Sequence, residues 1–553
     1  MTAPLIHIQR YTGVMDWLTT VDHKKIGLLY FWFTLFMGIV GGALSGLIRF
    51  HLAMPGATIE AIQHAHLHGT DVAVNLFSEN RHAYNQVMTM HASVMIFFVI
   101  IPAFAAFANY LVPLMIGARD MAFPKMNGFA FWLLVPAALL MFTSFFTAGG
   151  SAAAGWTSYP PLALENAGVN PGQDMWILGV HLAGLSSILG SINFIVTVAN
   201  MRAPGMGWLQ MPLLVWAVFI TSLIQLTATP VLGSAVTMLL MDRNFGTTFL
   251  IASKGGDPLL YQHIFWFYSH PAVYIMILPG FGGISHIFAA FSRKRVFGYF
   301  AMVLAIGVIG IIGFSVWAHH MFSVGMPTGL QAFFMYMSFL IGVPTGIKIF
   351  SWLATMWGGT IRFTVAMKFA CGFISLFTLG GFGGLILALV PVDISLHDTY
   401  FVVGHFHFTL VGGSVMLLFG MTYFWWPKMS GRMLDEKVGT LVFWLMFIGV
   451  LVAFSTMHIS GMLGMARRIS VYYEDFRLLN EITTLGYVLS MLGSLIFVGQ
   501  LVLSYRKPKV TENDPWKIND LQGGLEWATS CPPPVYNFEV VPPIPIVDHM
   551  PRH

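Results

Sequence analysis

The sequence predicts an all-α protein, a polytopic membrane bundle of about twelve transmembrane helices, and three observations carry that expectation. Of 553 residues, 56% are hydrophobic and 9% charged, and the mean hydropathy is +0.74, which excludes an ordinary soluble enzyme. Twelve apolar stretches approach or exceed the roughly 20 residues that cross a bilayer. They are 26–48, 87–112, 129–148, 175–200, 211–240, 261–290, 297–323, 329–356, 369–390, 399–426, 440–463 and 481–504. Basic residues also segregate. The terminal segments and the loops at 113–128, 201–210, 291–296, 357–368 and 427–439 hold 19 of the 27 Lys and Arg, against 7 in the opposite loops. The positive-inside rule then places both termini in the cytoplasm. The remaining cation, Lys348, falls within a span.

The N-terminus is polar through Lys25, without the short apolar core and small-residue site of a cleaved signal peptide. Two cysteines, Cys371 and Cys531, exclude a disulfide framework and a CxxC metal site. Residues 1–505 read as one catalytic unit and 506–553 as a polar, proline-rich cytoplasmic tail with no catalytic signal.

Taken in order, the first span ends with Arg49 at its outer edge, where a snorkelling arginine is the plain alternative. The outer loop holding His64, His66, His68 and His82 reads as solvated polarity rather than a surface metal trap. Span two carries Gln86 and, about a turn inside, His91. The next inner loop carries Asp120; with the amides of Asn109 and Asn127 it can form a water-lined entrance, or be a surface carboxylate. Trp156 lies in an outer loop stiffened by Pro160 and Pro161. Span four carries Ser186, Ser187 and Asn193, for interhelical hydrogen bonds or for water.

Span six reads Phe-Tyr268-Ser269-His270-Pro-Ala272-Val-Tyr274, with His270 and Tyr274 one turn apart on one face. Span seven ends Trp317-Ala-His319-His320. Three histidines from two spans, with no thiolate, suit a copper ion. Adjacent side chains diverge by about 100° on an α-helix, so one of the pair needs a distorted helix or a long reach. Ser285 is eleven residues beyond Tyr274 and returns to its face, and Thr345 and Lys348 share a face of span eight. Together they would lead protons from the inner side, since a lone membrane lysine is functional by default.

After span nine, His397 and Asp398 suit a hard divalent ion or a plain hydrogen-bonded loop. Span ten opens Tyr400-Phe-Val-Val-Gly-His405-Phe-His407. At about 100° per residue the two imidazoles point to nearly opposite sides, so each can hold its own cofactor but not share one. Imidazole in lipid is costly unless paired or ligating. His91 enters its span from the same side, and opposite His407 it would make a bis-imidazole haem pocket for electron transfer. Arg467 and Arg468, in an outer loop at that depth, suit haem propionates.

These motifs, with Asp242-Arg-Asn-Phe-Gly-Thr-Thr, Val343-Pro-Thr-Gly-Ile-Lys348 and Met465-Ala-Arg-Arg468, make the chain resemble subunit I of the haem–copper oxygen reductases, most closely the cytochrome c oxidases. The resemblance covers almost the whole length. It implies His91 and His407 as axial ligands of a low-spin haem, His405 as proximal ligand of a high-spin haem that binds O2, and His270, His319 and His320 as ligands of CuB. It implies that Tyr274 is covalently joined to His270 and donates an electron and a proton as O2 is cleaved. Arg49 matches the formyl-group arginine of an A-type haem, and Trp156, Arg467 and Arg468 match propionate partners. His397 and Asp398 match a magnesium site completed by subunit II. Lys348 and Thr345 match the lysine proton path, while Asp120, Asn109 and Asn127 match the mouth of the aspartate path. Implied partners are a subunit II carrying a copper centre, subunit III and cytochrome c, in a bacterial inner membrane, with coupled proton pumping.

Three departures stand out. Ala272 replaces the glutamate that normally ends the aspartate path, and Tyr268 with Ser269 resembles the branch in which a tyrosine hydroxyl substitutes for it. His51 stands where a carboxylate of an outer calcium or sodium site is common. Val40 and Leu44 replace the Arg and Asp of quinol-oxidising relatives, although Gln86 matches their glutamine. A quinol oxidase is thus the close rival, and a copper or haem transporter, suggested by 35 Met and 20 His, the rival of another class.

Overall fold

The computed structural model describes residues 13–61, 63, 81–165, 167–518, 524–541 and 543–544. His64, His66 and His68 lie outside them. Among the described residues there is no strand, only two isolated bridges. Twelve helices are long and apolar enough to cross a membrane: His23–Ala53, His82–Ile116, Pro124–Phe146, Pro171–Asn200, Leu213–Asn244, Pro258–Ser292, Tyr299–Met321, Thr328–Met356, Val365–Ala388, Tyr400–Ser430, Glu436–Met462 and Glu474–Ser504. They are spans one to twelve, and every predicted stretch is recovered. The chain is a multi-pass membrane protein.

Spans two and six are buried along most of their apolar length, whereas spans one, eight and twelve show much of theirs outward. With lipid tails outside, no hydrophobic force drives helices together, so small residues that allow close approach set the packing. Gly282 of span six lies over Leu214 and Ala217 of span five, and Gly486 of span twelve over Ala453 of span eleven. Gly380 of span nine lies against Phe408.

Several spans are interrupted where the sequence reads as continuous helix. Span six breaks between Ile275 and Leu278, so Ser285 does not follow Tyr274 in the register of one unbroken helix. Span eight breaks at Ile341. Spans two and ten each contain a π turn, Met95–Ile100 and Leu410–Val415, a few residues after His91 and His407. Such turns shift helix register and gather at functional sites.

The described tail residues pack across the ends of the spans near Lys24, Ala118 and Lys428. Lys428 of span ten donates to the carbonyls of Asn513, Thr529 and Ser530, and Trp516 Nε1 to that of Phe424. Asn537 accepts from Lys24 and donates to the Ala118 carbonyl, two residues from Asp120.

At Gly461 in span eleven a Cβ would collide with the backbone nitrogen of Phe401, near the start of span ten. Gly461→Ala is therefore expected to push span ten outward at about 1–3 kcal/mol, the usual range for overpacking. Purified protein should then carry less haem per polypeptide; native haem content would contradict this.

Candidate metal centres and proton routes

The three copper candidates converge. One ring nitrogen from each of His270, His319 and His320 falls in a group whose members all lie within 4.8 Å of one another. His270 Nδ1 is 3.2 Å from His319 Nε2, which is 3.1 Å from His320 Nε2. The adjacent pair meets because span seven ends in two 3₁₀ segments, Gly313–Ser315 and Trp317–Met321; the helix is distorted, as the pairing requires. Trp266 stacks on His320 at 3.8 Å.

Hydrogen bonds fix which nitrogen is free. Ser338 donates its own proton to the Phe334 carbonyl at 2.6 Å, so it accepts from His319 Nδ1 at 2.9 Å. That leaves the lone pair on His319 Nε2, aimed at the other two rings. Three imidazole nitrogens at about 2.0 Å from one ion would stand roughly 3.5 Å apart, close to the spacing seen. The donor set fits copper. His270 Nε2 is buried without a partner, and the Tyr274 ring lies 4.7 Å away.

The same logic holds at the three haem candidates. Nδ1 of His91 meets the Gly41 carbonyl at 2.9 Å, that of His405 the Gly380 carbonyl at 2.8 Å, and that of His407 the Val403 carbonyl at 2.9 Å. Carbonyls only accept, so each Nδ1 carries the proton and each Nε2 keeps the ligating pair. His405 enters a recess of span nine, where a Cβ at Gly384 would sit 2.8 Å from its ring. His407 instead stacks on Phe454 at 4.9 Å. The two side chains face different neighbours.

Buried guanidinium nitrogens await acceptors nearby. Arg49 Nη2 donates to Asn480 Oδ1 at 2.9 Å while its Nε has no partner among the described residues, and Arg467 Nε has none either. Burial pulls Arg467 down to about 10, helped by the neighbouring Arg468 charge. An acidic or polar cofactor edge would satisfy both nitrogens. Arg468 approaches Gly155, beside Trp156, whose ring packs on Phe265 at 5.2 Å.

Residues 25–496 match the family described as Cytochrome C and Quinol oxidase polypeptide I. The chain belongs to this family. It is 44% identical over 551 residues to cytochrome c oxidase subunit 1 of Cereibacter sphaeroides, covering 97% of each chain. The Synechocystis protein of that name is 47% identical over 522 residues, 94% of this chain and 90% of its own. A solved structure described as a heme-copper terminal oxidase dimer shares the fold, with a TM-score of 0.75 at 19% identity over 89% of this chain and 85% of that one.

Other family motifs resolve into different kinds of contact. Asp242 accepts from Thr247 and from the backbone of Phe249 and Leu250, and Arg243 pairs with Asp174 at 2.6 Å; this motif folds the loop after span five. His397 Nδ1 bonds Asp393 at 2.8 Å, a partner missed in the sequence, while Asp398 Oδ1 lies 3.8 Å from Arg467. Among the described residues these two gather no third ligand. His51 bonds the Ser470 carbonyl at 2.8 Å.

Lys348 Nζ is fully buried without a hydrogen-bond partner among the described residues, 5.4 Å from the centre of the Trp352 ring. Trp352 in turn donates to Ser285 at 2.9 Å, and Thr345 bonds its own helix at Ile341. The predicted row is not a chain of direct bonds. On the other route, burial pushes the Asp120 carboxyl up to about 7. Asn109 Oδ1 and Asn127 Nδ2 are buried without partners among the described residues. A cavity of ≈ 60 Å³, lined by Tyr30, Asn109, Ser186, Ser187 and Ser191, leads into the bundle.

His458, which the sequence reading passed over, lies against the Phe401 and Phe408 rings, 3.0 Å from where a Gly383 Cβ would stand. Ser338 was also missed. Its substitution Ser338→Ala removes the acceptor that orients His319 and should cost about 10–100-fold in copper affinity, as such supporting bonds usually do. Metal analysis should find low copper with haem retained; full copper occupancy would contradict it.

Proposed function

We propose that this chain is the catalytic subunit of a respiratory terminal oxidase, reducing O2 to water with electrons from cytochrome c and coupling this to proton uptake and pumping. One observation carries the reading. Three imidazoles converge within an apolar bundle, and three more, with their Nε2 atoms left free, line adjacent spans.

When bound, the haems and copper carry the electrons that O2 accepts. The protein residues do the rest. His91 and His407 hold a low-spin haem, His405 a high-spin one, and His270, His319 and His320 the copper ion. Arg49, reaching from span one, accommodates an A-type haem; Arg467, Arg468 and Trp156 take its propionates. Tyr274, whose ring lies 4.7 Å from that of His270, would give a proton and an electron. The His270 Nε2 has no hydrogen-bond partner among the described residues, and the nearness of the two rings supports a covalent link between them. His397 and Asp398 hold magnesium together with a ligand from subunit II.

Protons reach the centre from the inner side by two hydrated routes, one through Lys348, Thr345 and Ser285, the other from Asp120 past Asn109 and Asn127. Ala272 carries no carboxylate, so Tyr268 and Ser269 end the second route; Ser269 Oγ is buried without a partner. A phenol, with a reference pKa near 10, relays a proton through water rather than storing it. Subunit III completes the complex in a bacterial inner membrane, with both termini cytoplasmic. The quinol reading rests on Gln86, and here that side chain is engaged in holding the Gly149 carbonyl at 2.8 Å.

The purified complex should give a reduced-minus-oxidised visible spectrum of two haems, one low-spin, and should consume O2 with reduced cytochrome c but not with quinol. A preparation without stoichiometric haem would favour a transporter. Tyr268→Phe combined with Ser269→Gly should lower proton pumping while haem content stays native; unchanged turnover and pumping would remove these two residues from the path.

A further inference from the structure

The cavity among spans one to six has a wall that the sequence reading did not anticipate. Opposite Ser186 and Ser187 of span four stand Thr221, Ser222 and Gln225 of span five. Thr221, Gln225 and Thr229 recur every fourth residue, one polar stripe along a helix face. Gln225 is twelve residues from the inner start of span five at Leu213, about 18 Å at 1.5 Å per residue. That is near the middle of a hydrocarbon core roughly 30 Å thick.

Ser222 donates to the Val218 carbonyl at 2.8 Å, so its proton is used within its own helix. Thr221 Oγ1, by contrast, is buried without a partner. No hydrogen bond joins the Gln225 amide to another described residue. An unsatisfied amide at mid-membrane is costly, and the cavity it lines has room for several waters. Water is therefore its partner.

The cavity also touches Ile275 and Pro279 of span six. Ala272 precedes Ile275 by three residues and Tyr268 precedes Ala272 by four, so they continue that helix face outward. We infer that Gln225, supported by Thr221, is a proton-path residue that orders the water chain between Ser186 and Ser187 and the Ala272–Tyr268 face. An amide both donates and accepts, so it can orient water on two sides without itself titrating. That property matters where Ala272 leaves no carboxylate to hold a proton in transit. The inference rests on the reading that Asp120 begins this route.

The test uses the whole oxidase complex in vesicles, following proton uptake from the inner side with a pH-sensitive dye while O2 oxidises the reduced enzyme. Gln225→Leu should slow uptake about tenfold or more, less than the roughly 10²-fold lost with a group that itself transfers the proton, with the haem spectrum unchanged. Gln225→Glu should retain uptake and give it a new pH dependence as the added carboxyl titrates, a readout that a purely structural side chain would not alter. Native uptake in Gln225→Leu overturns the assignment. Asp120→Asn is the control for the route itself. If it takes up protons at the native rate, the underlying reading fails and the inference falls with it. If it is slow while Gln225→Leu is not, only the inference fails. Should Gln225→Leu assemble without haem, Gln225→Met replaces it, and native uptake in that variant overturns the assignment equally.

Discussion

Everything at the centre of this bundle depends on one hydrogen-bonding arrangement, an imidazole Nδ1–H held by an acceptor that cannot move. At His91, His405 and His407 the acceptor is a backbone carbonyl, and at His319 it is the Ser338 hydroxyl. Each bond settles the tautomer, sets the ring plane and turns Nε2 toward the interior. Without it, each ring would be a polar group in an apolar bundle, free to rotate. With it, four nitrogens are aimed before any metal arrives, so little ordering remains for the metal to impose. The helices act as rigid mounts for fixed lone pairs.

Holding those carbonyls at the right distance needs backbone that comes unusually close, and glycine supplies it. Gly380 gives its carbonyl to His405 while packing so tightly on Phe408 that a Cβ would lie 2.8 Å from that side chain's own Cβ. Gly384 opens the space for the imidazole. Gly41 gives its carbonyl to His91, and a Cβ there would lie 2.6 Å from Met95 Sδ. Methionine can shift to accommodate that contact; the backbone around Gly380 cannot.

The twelve spans were legible in the sequence, and the six histidines proposed as ligands were conspicuous there, because both signals are local. Apolar runs of bilayer length admit few other readings, and histidine is rare enough in them to be conspicuous. What could not be read was whatever depends on departure from a regular helix. The divergence of His319 and His320 assumes 100° per residue, and the 3₁₀ ending of span seven removes that assumption. The row from Tyr274 to Ser285 assumes an unbroken span six, and the chain breaks at Met276 and Ile277. The π turns after His91 and His407 have no signature in the residue pattern. Tail packing was invisible for another reason. Asn537 and Lys24 are far apart in sequence and ordinary in composition, and only the folded chain brings them together.

The unpartnered atoms show how the rest of the interior works. Lys348 Nζ, Thr221 Oγ1, Ser269 Oγ, Asn109 Oδ1 and Asn127 Nδ2 are all buried and all lack a partner among the described residues. Buried polar groups are normally satisfied, and two of these five, Asn109 and Thr221, line the cavity, where ordered water is the natural partner. Water bridges cost little in free energy and can be rearranged quickly. A chain of direct side-chain bonds would have to break before it could pass a second proton. A channel of waters pinned at intervals by fixed amides and hydroxyls can reset by turning the waters alone. On the proposed route past Ala272, proton transfer would depend on how well such waters are oriented rather than on a carboxylate that stores charge. The polar side chains of spans four and five that line the cavity are the ones that would do that orienting.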